Sequence, residues 1–238
     1  QATMITYYLK KRHIFGDMHL EIYNEKGEKT HELPAGKRKG INRVELNLRK
    51  KPPKVPRAKS LAFGAMFGPS IEPGEYTVKI IKNDQVEEGK FRIMYDPNSR
   101  HSDEERAIRL ENVQKAYSML EDLAYLVSKM DQLKESCKTN ISSIEETKIK
   151  EHLQTIQDDI DKLREKLVTT SDQGIFGGEE RVREKLANLY SGIINYQGKP
   201  TQSQIDRLEA LAQEIKANHN KFENLVEENL TPVNEYLE

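Results

Sequence analysis

The chain has 238 residues, of which 32% are charged and only 36% are apolar, and its mean hydropathy is −0.80. This composition suffices for two small hydrophobic cores but excludes one large buried α/β sheet. No apolar run reaches the ~18 residues of a membrane-spanning helix, so no membrane span is expected. A single cysteine, Cys137, excludes an internal disulfide and any multi-cysteine metal site.

The net charge of −1 conceals two segments of opposite charge. Residues 1–100 carry a balance of +8 and hold eight of the 13 glycines and seven of the nine prolines. The remainder carries −9 and contains few residues that break helices. We therefore place a boundary at residues 96–102 and predict two separate domains, residues 1–97 and residues 103–238.

Hydrophobic residues in the first segment alternate with polar ones, which is the period of a β-strand. Clusters of Gly, Pro, Asn and Asp separate the alternating runs and indicate turns. Short strands at this spacing predict an antiparallel β-sandwich of about six or seven strands, Ig-like or fibronectin-like. The clearest runs are centred on Tyr7, Leu20, Leu46, Val78 and Ile93.

Apolar residues in the second segment recur every three or four positions, which indicates amphipathic helices. Four such stripes predict an up-and-down helical bundle of about four helices, the first near residues 103–137 and the third near 179–195. An extended coiled coil is the alternative, but each stripe runs for only two to four heptads before a break. Capping-box pairs predict three helix starts: Ser102 with Glu105, Ser143 with Glu146, and Thr201 with Gln204.

The sequence contains no convincing catalytic site, and we predict that this chain is not an enzyme and has no cofactor. The six histidines lack the helical spacings that create a metal-binding pair, and the adjacent carboxylates are typical of solvated helix faces. His219 occupies an apolar stripe position, which favours a buried core histidine over a ligand or a switch. Cys137 follows Lys134 and precedes Lys138 near a predicted helix end, a setting that can depress the pKa of a thiol.

Glycines at 174, 177 and 178 precede a predicted helix and could present backbone N–H groups to an anion. A turn between two helices explains the same glycines, and we favour that interpretation.

The densest local charge lies between residues 37 and 59, where ten lysines and arginines face a single acid, Glu45. Such a run can bind nucleic acid or an acidic surface. It lacks interleaved aromatic residues for base stacking and is rich in proline, which favours an extended loop that faces a partner over a nucleic-acid site. The candidate docking residues are Lys50, Lys51, Lys54 and Arg57.

Several local patterns resemble one family. They are Ile5–Leu9, Leu20–Glu28, Gly40–Val44 with Leu46–Arg49, Gly68-Pro69, Pro73–Val78, Leu186–Tyr190 and Pro200–Gln204. These patterns are similar to the Ig-like domain and helical tail that follow β-propellers in large secreted bacterial proteins of the BNR-repeat, sortilin-like type associated with glycosyl hydrolases. Leu46 stands where that family usually has tryptophan.

The resemblance implies the C-terminal part of a longer exported protein that is periplasmic, on the cell surface or extracellular. It also implies that any active site lies in an upstream β-propeller, so we expect a noncatalytic accessory region that packs against that propeller. The alternative is a carbohydrate-binding module in which Tyr8 and Tyr23, on the face opposite the core, stack on sugar rings.

Overall fold

The computed structural model describes residues 2–170 and 179–237, with side chains through residue 229. The glycines at 174, 177 and 178 therefore lie outside the described residues. The strands are β1 (Ala2–Leu9), β2 (Met18–Tyr23), β3 (Lys29–Pro34), β4 (Gly40–Asn47), β5 (Gly74–Lys82) and β6 (Gln85–Ile93). The helices are α1 (Asp103–Ser143), α2 (Thr147–Leu167), α3 (Val182–Asn195) and α4 (Gln202–Leu237), and a short 3-10 helix spans Phe63–Ala65.

The chain divides into two compact units. The strand unit consists of residues 1–51 and 68–100, and the helical unit consists of residues 52–67 and 101–238. This division differs from the expected one because residues 52–67 belong to the helical unit. From residue 101 onward every described element is a helix, as the apolar periodicity predicts.

The strand unit contains two antiparallel sheets. The smaller sheet pairs β1 with β4, and the larger has the order β3-β2-β5-β6. Both sheets contribute to one core, in which Leu46 of the smaller sheet packs with Ile22 and Tyr76 of the larger. Leu46 is fully buried.

The direction of the strands defines two ends of the strand unit. Strands β1, β3 and β5 run toward one end, where the loops of residues 10–17 and 35–39 and the β5–β6 turn at residues 83–84 lie together. We call this the loop end. Residues 48–51 follow β4, residues 68–73 precede β5 and residues 94–100 follow β6, so these parts of the unit adjoin the strand ends opposite the loop end.

The helical unit is built around one cluster of buried apolar side chains to which all four helices contribute. The apolar stripes predicted from the sequence supply these side chains. Fully buried members include Leu120, Leu123, Ile156, Ile160, Leu186, Tyr190 and Leu208. Ala65 of the 3-10 helix belongs to the same cluster, which explains why residues 52–67 fold with the helices.

Two of the three predicted capping boxes are confirmed. The Glu105 amide donates to the Ser102 hydroxyl at 3.2 Å, and the Ser102 amide donates to the Glu105 carboxylate at 3.2 Å. The Thr201 amide likewise donates to Gln204 Oε1 at 2.9 Å, while the Gln204 amide donates to Thr201 Oγ1 at 3.3 Å. These side chains satisfy amides that a helix N-terminus leaves without partners.

The third predicted capping box is wrong. Ser143 is the last residue of α1, and its hydroxyl donates to the Asn140 carbonyl at 3.1 Å. Glu146 itself is the N-cap of α2 and makes no capping hydrogen bond with its side chain. Helix α1 continues through the predicted end near residue 137 because nothing in its last two turns breaks a helix.

His219 is exposed, so the predicted core histidine is wrong. Its side chain is 47% exposed, and Nε2 lies 3.5 Å from the Glu223 carboxylate one turn later. The neighbouring residue Asn218 is buried, and its side-chain Nδ2 donates to the Glu214 carbonyl at 2.8 Å. The buried stripe of α4 therefore passes through 218 and not 219.

We expect His219→Leu to change the free energy of unfolding by less than about 0.5 kcal/mol, because the side chain sits on the helix surface. Urea denaturation followed by circular dichroism at 222 nm measures this change. A loss above about 2 kcal/mol would show that the imidazole is part of the core after all.

Candidate interaction site

Residues 52–67 are an extended, proline-rich segment that is held by side chains of the helices. The Tyr190 hydroxyl of α3 donates to the Phe67 carbonyl at 3.0 Å, and Arg164 Nη2 of α2 donates to the Arg57 carbonyl at 3.0 Å. Proline removes backbone donors but keeps the carbonyls, so the segment needs donors from elsewhere. Tyrosine and arginine side chains on the helices supply them.

The middle of the segment makes the tightest contacts. Arg183 is buried, and its guanidinium donates to the Ser60 carbonyl at 2.9 Å and to the Glu184 carboxylate at 2.6 Å. Gly64 lies against the backbone of α3, and a Cβ built on it would be 2.2 Å from the Ala187 carbonyl oxygen. The segment is therefore a fixed part of the helical unit.

This segment forms one wall of a groove whose other wall is α1. The groove has a volume of about 1010 Å³ and is lined by residues 54–57 and by one face of α1 between residues 121 and 135. Lys54 and Arg57 are exposed on the segment wall. The acidic residues of the α1 wall are Glu121, Asp122, Asp131 and Glu135.

An exposed aromatic ring lies on the α1 wall. Tyr125 is 63% exposed, and the Lys129 ammonium lies 4.7 Å from its ring centroid. Asp131 accepts a hydrogen bond from Arg164 Nε at 2.7 Å, which ties the α1 wall to the arginine that also holds Arg57. Cations, carboxylates and an amphipathic ring in one open groove suit an extended polypeptide better than a small molecule.

Sequence reasoning identified the cations of this groove but missed its α1 wall. In the sequence, Tyr125 falls between Leu123 and Val127 of the apolar stripe, at a position that faces solvent. An aromatic residue at such a position was the one signal of this wall. The acidic residues of the α1 wall resemble those of any solvated helix face. They differ from other acidic residues only because residues 54–57 pass beside them.

The four predicted docking residues do not lie in one unit. Lys54 and Arg57 line the groove of the helical unit, whereas Lys50 and Lys51 belong to the strand unit. Lys50 pairs with the Glu72 carboxylate at 2.7 Å. The expectation of one basic loop across residues 37–59 is wrong, because residues 40–47 form β4.

The two tyrosines proposed for sugar stacking lie in different sheets and near opposite ends of the strand unit. Tyr8 is exposed near the loop end of β1, and Tyr23 is the last residue of β2. The Tyr23 hydroxyl donates to Glu21 at 2.6 Å, and the Lys79 ammonium lies 5.2 Å from the Tyr23 ring centroid. The structure therefore forms no single platform from both rings.

The Tyr23 hydrogen bond also affects the acidity of its partner. It is the largest of the effects that lower the pKa of the Glu21 carboxyl, and the hydrogen bond from Lys29 adds to it. The same bond raises the pKa of Tyr23 because it stabilises the protonated phenol. Tyr23 and Glu21 thus belong, with Lys29, to a hydrogen-bonded group of side chains on the larger sheet.

Cys137 is buried on α1, and burial raises the pKa of its thiol above the ordinary value. The depressed pKa considered from its lysine neighbours is wrong, because desolvation disfavours the thiolate. The thiol belongs to the hydrophobic cluster of the helical unit.

We expect iodoacetamide to modify Cys137 at pH 8 at least about 100-fold more slowly in the folded chain than in urea, because reaction requires an exposed thiolate. Mass spectrometry of timed samples measures the rate. Equal rates in the two conditions would contradict the burial of this side chain.

Across residues 2–170 and 179–237, no group of three or more His, Cys, Asp or Glu side chains has an arrangement that could hold a metal ion. No helix among the described residues combines the length and the apolarity needed to cross a membrane. Comparison of the chain with protein-family models, curated proteins and solved structures found no match.

Proposed function

We propose that this chain is a noncatalytic interaction region of a larger exported protein, and that its helical unit binds a polypeptide segment of an upstream β-propeller domain. The observation that carries this proposal is the groove between residues 54–57 and α1, which offers cations on one wall and carboxylates on the other. The resemblance to propeller-associated regions supports the identity of the partner.

Two architectural features belong to the same proposal. The strand unit is an Ig-like β-sandwich, supported by the core that Leu46 shares with Ile22 and Tyr76 across the two sheets. The helical unit is an up-and-down bundle, supported by the one buried cluster to which all four helices contribute. In this arrangement residues 52–67 stiffen one wall of the groove so that little order has to be imposed when the partner binds.

Charge complementarity across such a groove sets the orientation and specificity of the bound segment. Lys54 and Arg57 meet acidic or carbonyl groups of the segment, and the α1 carboxylates meet its basic groups. Tyr125 supplies amphipathic contact area between them, as tyrosine does at many interfaces.

Isothermal titration calorimetry of this chain with the separately expressed upstream domain tests the proposal. We expect Lys54→Glu combined with Arg57→Glu to raise Kd by at least about tenfold, because the change places like charges in both walls. The matched control is Lys50→Glu with Lys51→Glu, which makes the same change of charge in the strand unit.

The control should keep Kd within about twofold of the original value, since exposed charges that lie outside an interface contribute little to binding. Equal losses in the two double variants would contradict binding in the groove. Absence of any heat of binding with the original chain would contradict the upstream domain as the partner.

A further inference from the structure

The loop end of the strand unit presents two adjacent apolar side chains to solvent. Ile14 is 68% exposed and Phe15 is 84% exposed. Among the described residues, two further successive pairs of large apolar side chains are exposed, Met66-Phe67 and Met94-Tyr95, but both are less exposed as pairs. Tyr8, Ile41 and Val86 are also exposed near the same ends of their strands. An exposed pair of large apolar side chains on one loop indicates a surface that is covered in use.

The backbone beneath this apolar tip is fixed. The His13 amide donates to the Lys37 carbonyl at 3.0 Å, and the Asn83 amide donates to the Asp17 carbonyl at 3.1 Å. Gly16 has φ of +90°, and a Cβ there would collide with the Asn83 side chain at 2.1 Å. Hydrogen bonds to the neighbouring loop and turn therefore fix the backbone on both sides of Ile14 and Phe15.

Positive charge surrounds the tip. The loops of the loop end and Lys82, the last residue of β5, contain seven lysines and arginines against two aspartates. The basic residues are Lys10, Lys11, Arg12, Lys37, Arg38, Lys39 and Lys82, and the acids are Asp17 and Asp84. Lys37 Nζ also donates to the Gly16 carbonyl at 3.2 Å, so this basic loop is joined to the apolar one.

The apolar tip, the basic ring and the strand directions fit one kind of partner. We propose that the loop end of the strand unit docks on an anionic lipid bilayer, with Ile14 and Phe15 inserted at the boundary of the headgroups and acyl chains. The lysines and arginines around them contact lipid phosphates. This surface is separate from the groove of the helical unit and does not depend on it.

An acidic protein is the competing partner, and the shape of the surface argues against it. Ile14 and Phe15 lie on the loop between β1 and β2 and line the same surface as Lys10, Lys11, Arg12 and Lys82. An exposed apolar pair beside a cluster of cations matches an anionic bilayer, which offers apolar chains beneath a layer of phosphates. An interface with a protein would instead require a pocket that is shaped to receive the tip.

The chain contains no tryptophan, so one substitution gives an unambiguous fluorescence probe. Phe15→Trp in the full chain is titrated with phosphatidylcholine vesicles that contain about 30 mol% phosphatidylglycerol, and with vesicles of phosphatidylcholine alone. We expect a blue shift of the indole emission with the anionic vesicles only. The matched probe is Met94→Trp, because Met94 is 69% exposed and follows β6 at the opposite end of the unit.

Vesicle sedimentation separates the apolar contribution from the charge. We expect Ile14→Ser with Phe15→Ser to weaken binding to anionic vesicles by at least about tenfold, and Lys10→Glu with Lys11→Glu to weaken it similarly. Lys26→Glu with Lys51→Glu makes the same charge change at the opposite end and should leave binding within about twofold.

Three results would overturn the proposal. One is the absence of a shift in the Phe15→Trp variant, and another is an equal shift in the Met94→Trp variant. The third is an equal blue shift with soluble polyglutamate in place of vesicles, which would assign the surface to an acidic protein.

Discussion

Replacing Gly64 by alanine should lower the free energy of unfolding of the helical unit by about 2–3 kcal/mol, the cost of forcing an extra carbon into a packed site. The new Cβ would lie 2.2 Å from the Ala187 carbonyl oxygen and 2.5 Å from its carbon. Both atoms belong to the backbone of α3, so they cannot move aside as a flexible side chain would. Denaturation followed at 222 nm reports this loss, because that signal comes from the helices.

Gly192→Ala is the matched control, since it makes the same change in the same unit. A Cβ at Gly192 would meet only the end of the Gln204 side chain, at 3.3 Å. Alanine is favoured over glycine within a helix, so this variant should be unchanged or more stable by up to about 1 kcal/mol. If both variants had the same stability, residues 52–67 would not pack on α3 as described.

Replacing Arg183 by alanine should lower the free energy of unfolding by about 3 kcal/mol, because it removes a buried cation together with its hydrogen bonds to two partly buried residues. The guanidinium donates to the Ser60 carbonyl at 2.9 Å and to the Glu184 carboxylate at 2.6 Å. Without it, the partly buried Ser60 carbonyl would lose this donor. The same denaturation experiment measures the change.

The neighbouring Arg181 provides the comparison for this variant. Its side chain is 36% exposed, against 3% for Arg183, and it pairs at 2.7 Å with Glu179, whose side chain is 67% exposed. Arg181→Ala should therefore cost no more than about 1 kcal/mol. If Arg181→Ala and Arg183→Ala lowered the free energy of unfolding equally, the burial of Arg183 and its contact with Ser60 would not add to stability.

The sequence predicts the four helices and the strands β1, β2, β4 and β5, but no predicted run covers β3 and only the end of β6 falls in one. It also places some residues on the wrong face. In α4, apolar residues at 208, 215 and 222 fit two heptad patterns that differ only in the intervening positions. One pattern continues through Ala212 and His219, and the other through Leu211 and Asn218. The structure follows the second, because the larger Leu211 fills the core and Asn218 can bond its own helix.

The path of residues 52–67 cannot be predicted from periodicity or composition. Prolines and lysines between 50 and 59 read as a solvated loop, since neither helical nor strand periodicity is present. What fixes the segment is long-range hydrogen bonding, such as that from Tyr190 to the Phe67 carbonyl, 123 residues apart in the chain. Local sequence carries no trace of such a partner, so the groove that the segment forms could not be predicted either.

The groove between residues 54–57 and α1 is the proposed binding site for the partner. Hydroxyl-radical footprinting of the chain, alone and with the upstream domain, tests this directly through two exposed tyrosines, Tyr125 in the groove and Tyr196 outside it. We predict that the partner lowers oxidation of Tyr125 by at least about fivefold, because a bound segment excludes water from the ring, and leaves Tyr196 unchanged. Unchanged oxidation of Tyr125 in a complex shown to form would contradict the account.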